Sequence, residues 1–391
     1  MAGGLPACGP DQPPTVRIGV IAPLSGALSG SGLGIRNSVA LAVRQANDRH
    51  AVKGWRIAVS SDDDLADPDA GANVATTLSD NRSVVAVVGT LNSMVAERVA
   101  PILNGRKVVM VSPANTDPAL SRGPASGGPV RPYDYYFRVA PTDLYQGPFA
   151  ANYAYRSAGK RVAVVIHDRT PYGQGAALGF KAQFEKLGGR VRAVETVAPD
   201  DEDFSAVLIR IRRLNPDLLY FGGEYPAAAR LSVQADQQAV KAPLMGAYGI
   251  FDPLYLSQAK ETAVGDLATS VDTPTDELPT ARPFLAAYDA AGYNDPSAVD
   301  GAYAYDAANV VIAALARVLP GRSRVTDEVR AALRQAVQDG TVDGVTGPLS
   351  FDRFGDATAR SLTVYEVERD VSGKLAWMPR QTSQIHGFTW E

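Results

Sequence analysis

The chain has 391 residues, 46% of them hydrophobic and 20% charged, which is enough apolar mass for two or three compact units. A net charge of −4 and a pI near 5.6 offer no basic stripe for nucleic acid, and no apolar run approaches the length of a bilayer span. The single cysteine, Cys8, excludes an internal disulfide and a four-cysteine zinc site, and His50, His167 and His386 stand in separate contexts, as surface or capping histidines do.

The leader reads Met1-Ala-Gly-Gly-Leu-Pro-Ala-Cys8-Gly9 and runs into a Pro-rich spacer, Pro10–Pro14. Leu5-Pro-Ala-Cys8 resembles a bacterial lipobox, whose cysteine becomes the lipidated first residue. The basic and apolar segment that normally precedes a lipobox is missing, so a shortened chain restarted at methionine is expected. An incidental cysteine in a flexible tail is the alternative, and the spacer suits both.

From Thr15 onward, apolar runs alternate with helical patterns. Val16–Ile21 is a buried strand, followed by a glycine-rich turn and a helix from about Ser31 to His50 whose apolar positions Val39, Leu41, Ala42, Val43 and Ala46 suit one face. Strands are predicted at Ile57–Ser60, Val84–Val88 and Val108–Val111. Helices fall between them at Asp67–Leu78, with Asp67 as N-cap and Pro68 at N1, and at Met94–Leu103. This alternation is the mark of a parallel, doubly wound sheet.

After a loop rich in Gly, Pro and Ser (Ser121–Pro132), the alternation restarts. Helices are predicted at Leu144–Ser157, Gly173–Leu187, Phe204–Leu214 and Ala227–Gln238, with strands at Val162–Ile166, Val191–Val197, Leu218–Phe221 and Leu244–Gly246. Helical patterns then cover Ala281–Ala291, Ala298–Leu319 and Val325–Val337, and Leu362–Trp377 reads as a hairpin turning at Asp370–Gly373. Three short strand-like segments, Phe137–Pro141, Thr269–Pro274 and Ser350–Phe354, would carry the chain between two lobes and form a hinge.

Gly26-Ala-Leu-Ser-Gly-Ser-Gly32-Leu-Gly34 follows the first strand, and Asp62-Asp-Asp64 follows the second, as in a dinucleotide site. The spacing, however, is G-x-G-x-G and not G-x-G-x-x-G, and no phosphate-binding G-x-x-x-x-G-K-[ST] exists. A turn that lets a ligand approach the backbone is the preferred reading. No G-x-S-x-G is present, and Ser25, Ser93 and Ser112 have no histidine placed to serve them, so an enzyme is disfavoured. Two strand ends do repeat one theme: Gly89-Thr-Leu-Asn-Ser93 and Ser112-Pro-Ala-Asn-Thr116 both offer hydroxyls and backbone N–H groups beside a helix start, where a carboxylate is stabilised. The carboxyl edge of a parallel sheet is also where ligands bind.

These segments resemble the Leu/Ile/Val-binding type of periplasmic solute receptor, from Val16 to about Glu368. The resemblance is carried by Ile18–Gly26, Gly89–Ser93, Ser112–Leu120, Phe137–Gly147, Tyr172-Gly-Gln-Gly175, Asp203-Phe-Ser205, Tyr220–Pro226 and Gly347–Phe351. It implies a type I periplasmic-binding fold, in which Ser93 and Thr116 hold the ligand's carboxylate and ammonium with backbone groups of their loops, Asn115 among them. Tyr172 would close over the ligand. Glu224 stands where an aromatic residue is usual, Tyr248 where the acid that pairs with the ammonium is usual, and Ser31 where some members have a bulky aromatic. Asp300 is expected to face the cleft, and Ala66 and Asn92 replace a pair of cysteines. These departures bear on specificity, not on the fold.

The expectation is an α/β protein of two Rossmann-like lobes with parallel sheets and a three-segment hinge. Residues 1–14 form the leader and linker, 15–139 plus 272–350 lobe one, and 140–271 plus 351–391 lobe two. The function it implies is that of an extracytoplasmic solute-binding component of an ABC importer, monomeric and anchored through Cys8. It would bind an amino acid or a related small polar solute without cofactor or catalysis and dock on a membrane permease. A sensor of the same fold for an amide, a urea-like molecule or an aromatic acid is the alternative.

Overall fold

The computed structural model describes residues 13–385 except 125–127, 272–274, 276–277, 299 and 360, so Cys8 and His386 lie outside the described residues. The first sheet holds β1 (Thr15–Ala22), β2 (Arg56–Asp63), β3 (Val84–Gly89), β4 (Val109–Ser112) and β5 (Tyr136–Arg138), all parallel, in the order β2-β1-β3-β4-β5. The Val-Val-Ala-Val-Val-Gly run of β3 is buried at every position because helices cover both faces. Ala75, Leu78, Val95, Val99 and Leu103 of helices Pro68–Asp80 and Ser93–Gly105 pack on Ile21, Val84 and Val87. On the other face, Ile35, Val39, Ala42 and Ala46 of helix Ser29–Asp48 and Val311 and Leu315 of helix Asp300–Val318 meet Ile18, Val20 and Val88. Asp67 caps its helix as predicted, accepting from the amides of Asp69 and Ala70.

The second sheet begins with β6 (Val162–His167), β7 (Arg190–Thr196), β8 (Leu218–Gly222), β9 (Leu244–Gly246) and β10 (Leu267–Ser270). A separate small hairpin, β11 (Val342–Gly344) and β12 (Gly347–Leu349), precedes β13 (Ser361–Arg369) and β14 (Leu375–Gln384). The sheet order is β14-β13-β10-β9-β8-β6-β7, with β6–β10 parallel and the terminal hairpin antiparallel on the β10 edge. Alternation along β6 divides the two cores. Ala163 and Val165 face Phe149 and Phe180, while Val164 and Ile166 face Leu208 and Leu231.

Phe137–Pro141 and Thr269–Pro274, expected as strand-like crossing segments, overlap the strands β5 and β10 that feed the crossings. The helix predicted over Leu144–Ser157 is α-helical from Asp143 to Asn152 and then widens into a π turn, Tyr153–Ser157. The third crossing adds to the free edge of β5, where the Arg138 amide donates to Gly355 O (3.0 Å) and the Ala357 amide to Arg138 O (3.1 Å). Arg138 is fully buried there. It donates to Asp356 (2.8 Å), to the carbonyls of Asn115 (3.1 Å) and Asp117 (2.7 Å), and to Ser121 Oγ (2.5 Å).

Candidate functional site

The carboxyl ends of both sheets open on one cavity of about 470 Å³. The first lobe brings Ser31 after β1, Ser93 after β3 and Thr116 after β4. The second brings Tyr172 after β6, Glu224 after β8 and Tyr248 after β9, with Asp300 from the start of its long helix completing the wall. The glycine-rich turn has a packing reason: a Cβ on Gly32 would run into the Pro23 carbonyl, and one on Gly34 into the Ser297 carbonyl. The triple aspartate shapes turns, since Asp63 accepts from Leu24 N (2.8 Å), Ser25 Oγ (2.6 Å) and Leu65 N (2.9 Å), and Asp64 from Ala66 N (2.9 Å).

Asn115 is the one expected site residue whose side chain lies outside the cavity lining. Its amide nitrogen donates to Thr90 O (3.0 Å) and Leu91 O (2.9 Å), and its oxygen accepts from Tyr136 OH (3.4 Å). It staples the two hydroxyl-bearing loops together and supports the site from behind. Asn92, not Ser93, occupies the N-cap position of helix Ser93–Gly105. The Ser93 hydroxyl accepts from the amides of Thr116 and Asp117 (both 3.3 Å), which leaves its own proton for another acceptor.

The second lobe supplies acids. Burial, with the charges of Asp168, Asp300 and Asp252, pushes Glu224 up to about 8. Its nearest donor is Asn92 Nδ2 across the cleft, at 3.4 Å. Tyr172 accepts from Gly249 N (2.5 Å) and so can turn its hydroxyl proton inward. Tyr248 donates to Asp300, which burial and then the charge of Asp252 push up to about 7. Asp252 caps the helix Pro253–Ala259 through Leu254 N (2.7 Å), lines the cavity with Ser31, and is raised by burial. The cavity role of Asp252 was missed because Asp-Pro reads only as N-cap and N1. His167 ends β6 and is buried, with Nδ1 accepting from Arg169 N (3.1 Å), so of the two roles expected for it the capping one applies and the surface one does not.

Buried acids of this kind give the stability a definite slope with pH. Glu224 (about 8) and Asp300 (about 7) hold their protons more tightly folded than unfolded, where 4.5 and 3.8 apply, as do Asp143 (about 8) and Asp266 (about 7). Their contribution is fully present below pH ~4 and is lost as pH rises through about 7–8. The melting temperature of the ligand-free protein is therefore expected to fall between about pH 5 and pH 8.5. A melting temperature that rises across that interval would contradict this assignment.

Two doubly wound lobes with a cavity between the carboxyl ends of their strands define a solute receptor that holds its ligand between lobes. The chain belongs to the periplasmic binding protein family, the type I solute-binding proteins of ABC transporters, which matches residues 15–373. Leu/Ile/Val-binding protein homolog 3 of Brucella melitensis is 28% identical over 352 residues, covering 90% of this chain and 91% of the relative. The leucine binding protein LivK of Thermotoga maritima superposes with a TM-score of 0.81 at 27% identity, covering 94% of this chain and 98% of its own. A solute-binding protein of Rhodopseudomonas palustris HaA2, solved with p-hydroxybenzoic acid, shares the fold with a TM-score of 0.82 at 21% identity, covering 96% and 98% of the two chains.

Proposed function

We propose that this protein captures a zwitterionic amino acid, or a small derivative of one, and delivers it to the membrane permease of an ABC importer. The observation that carries this reading is a cavity with hydroxyl donors on one lobe and a carboxyl poorly supplied with donors, Glu224, on the other. The ligand carboxylate is held by Ser93, at the positive end of its helix, and by Thr116. The ammonium meets Glu224, which takes over the counter-charge role while Tyr248 serves Asp300. The Brucella relative is a Leu/Ile/Val-binding protein homolog and the Thermotoga one a leucine binding protein, which favours an amino acid over an aromatic acid.

The lobes that close are residues 15–139 with 272–350 and residues 140–271 with 351–391. Contacts across the cleft run from Tyr225 OH to Ala27 O, from Asn92 to Glu224 and from Tyr248 to Asp300. A solute that touches both sides shifts the balance toward this arrangement. The role is binding, not catalysis, and the receptor acts as a monomer outside the cytoplasmic membrane, tethered by acyl chains on Cys8. Intact mass of the protein from its host should carry the diacylglyceryl adduct, and an unmodified Cys8 would refute the tether.

Calorimetry with a panel of amino acids and small carboxylates tests the binding role. Ser93→Ala should weaken the solute found by roughly tenfold to a hundredfold, because a hydrogen bond to a charged group is worth about 1.5–3 kcal/mol. Unchanged affinity would remove Ser93 from the site.

A further inference from the structure

If the cavity holds an amino acid, its walls carry more carboxyl groups than one ammonium requires. Glu224, Asp252 and Asp300 all line it, and among the described residues no Lys, Arg or His pairs with any of them. The one Lys or Arg in the described lining, Arg230, is turned away. It donates to the carbonyls of Asp201 (3.2 Å) and Pro199 (3.3 Å).

The acids are also placed so that closure gathers them. Asp252 follows β9 of the second sheet and Asp300 opens a helix packed on the first, yet both line the same cavity as Ser31, and the charge of Asp252 is felt at Asp300. Bringing two carboxylates together across a cleft, away from water, is unfavourable unless a cation lies with them. A second, independent feature has the same sign. Asn92 lines the cavity at 9% exposure, and its Oδ1 meets no donor among the described residues. The lining is thus short of donors and of positive charge at several points, and a branched aliphatic side chain would supply neither.

We propose that the solute is a basic amino acid, or an amino-acid derivative with a second cationic group, whose side-chain amine, guanidine or amidine lies between Asp252 and Asp300 beside Ser31. This rests on the amino-acid reading above: the α-carboxylate at Ser93 and Thr116, the α-ammonium at Glu224. The second cation lets both acids ionise on closure and replaces mutual repulsion with two charge-assisted hydrogen bonds. A guanidine or amidine suits two carboxylates best, since its planar fork presents donors in two directions.

The experiment is calorimetry of the full chain with lysine, ornithine, arginine, leucine and glutamine, repeated on Asp252→Asn and Asp300→Asn. Asparagine keeps the N-cap of the helix that Asp252 begins, and a thermal melt of each variant shows whether it is folded. The expected result is that a basic amino acid binds at least about tenfold more tightly than leucine, and that each variant lowers this preference by roughly tenfold to a hundredfold. Binding of leucine or glutamine with no preference for the basic solutes would overturn the inference and leave the amino-acid reading standing. An undiminished preference in both variants would overturn the assignment to Asp252 and Asp300. Failure of every amino acid to bind would overturn the underlying reading as well.

Discussion

Glu224→Gln is expected to weaken binding of the cognate amino acid by about a hundredfold or more, with little change in shape. Removing one partner of a buried charge pair costs about 3–5 kcal/mol, because the other charge is left uncompensated. Part of that is offset here. Glu224 is held near 8 before the ligand arrives, so at neutral pH its carboxyl must first lose a proton to meet an ammonium. One pKa unit corresponds to about 1.4 kcal/mol, which brings the expectation to the lower end of the range. The same reasoning predicts proton release. Binding enthalpies of the parent should vary with the ionisation enthalpy of the buffer near pH 7, and those of the variant should vary less. A variant that binds as tightly as the parent would end the counter-charge role of Glu224.

The largest effect on stability is expected at the hinge, from Asp356→Asn. Burial alone would raise the Asp356 carboxyl, but Arg138 and Arg122 beside it hold it below the usual carboxylate range. Arg138 has no exposed surface, and its other partners are two carbonyls and a hydroxyl, none of which carries charge. Neutralising Asp356 leaves a buried guanidinium with no counter-charge of its own, at a cost of about 3–5 kcal/mol. Replacing both residues, with Arg138→Met and Asp356→Leu, should recover much of the loss because no buried charge remains unpaired. Urea unfolding of the three variants checks this. A loss below about 1 kcal/mol in Asp356→Asn would place the pair among interactions of surface strength.

Much of this was legible in the sequence where periodicity is long. The buried runs of β1, β3, β6 and β8 and the helices between them carry their own signal, and they lie within a few residues of where they were read. The three-residue β5 and four-residue β10 are too short to show a period, so their chemistry read only as extended chain. Ser93 and Thr116 could be named because each follows a strand at the edge where parallel sheets bind ligands, and Tyr172 and Glu224 because their segments resemble the Leu/Ile/Val-binding type of receptor. Asn115 follows one too, yet its amide turns into the loops. Loop position fixes where a Cα sits, and the direction of a side chain depends on neighbours such as Thr90 and Tyr136 that are distant in sequence. Asp252 was hidden for the opposite reason: its local role as a helix cap is complete in itself, and its place in the cavity wall exists only because the other lobe comes to meet it.

The attachment of residues 355–357 to the edge of β5 also fixes an order of assembly. The strands of the first sheet leave the ribosome first, but helix Asp300–Val318, which covers one face, and Asp356, which neutralises Arg138, are synthesised only after β6–β10 have emerged. The parallel part of the second sheet is contiguous from β6 to β10, so it can be built while the first still awaits its cover. The lobe that is translated earliest therefore waits for its cover until the parallel part of the second sheet has been made, with an apolar face to shield during the interval.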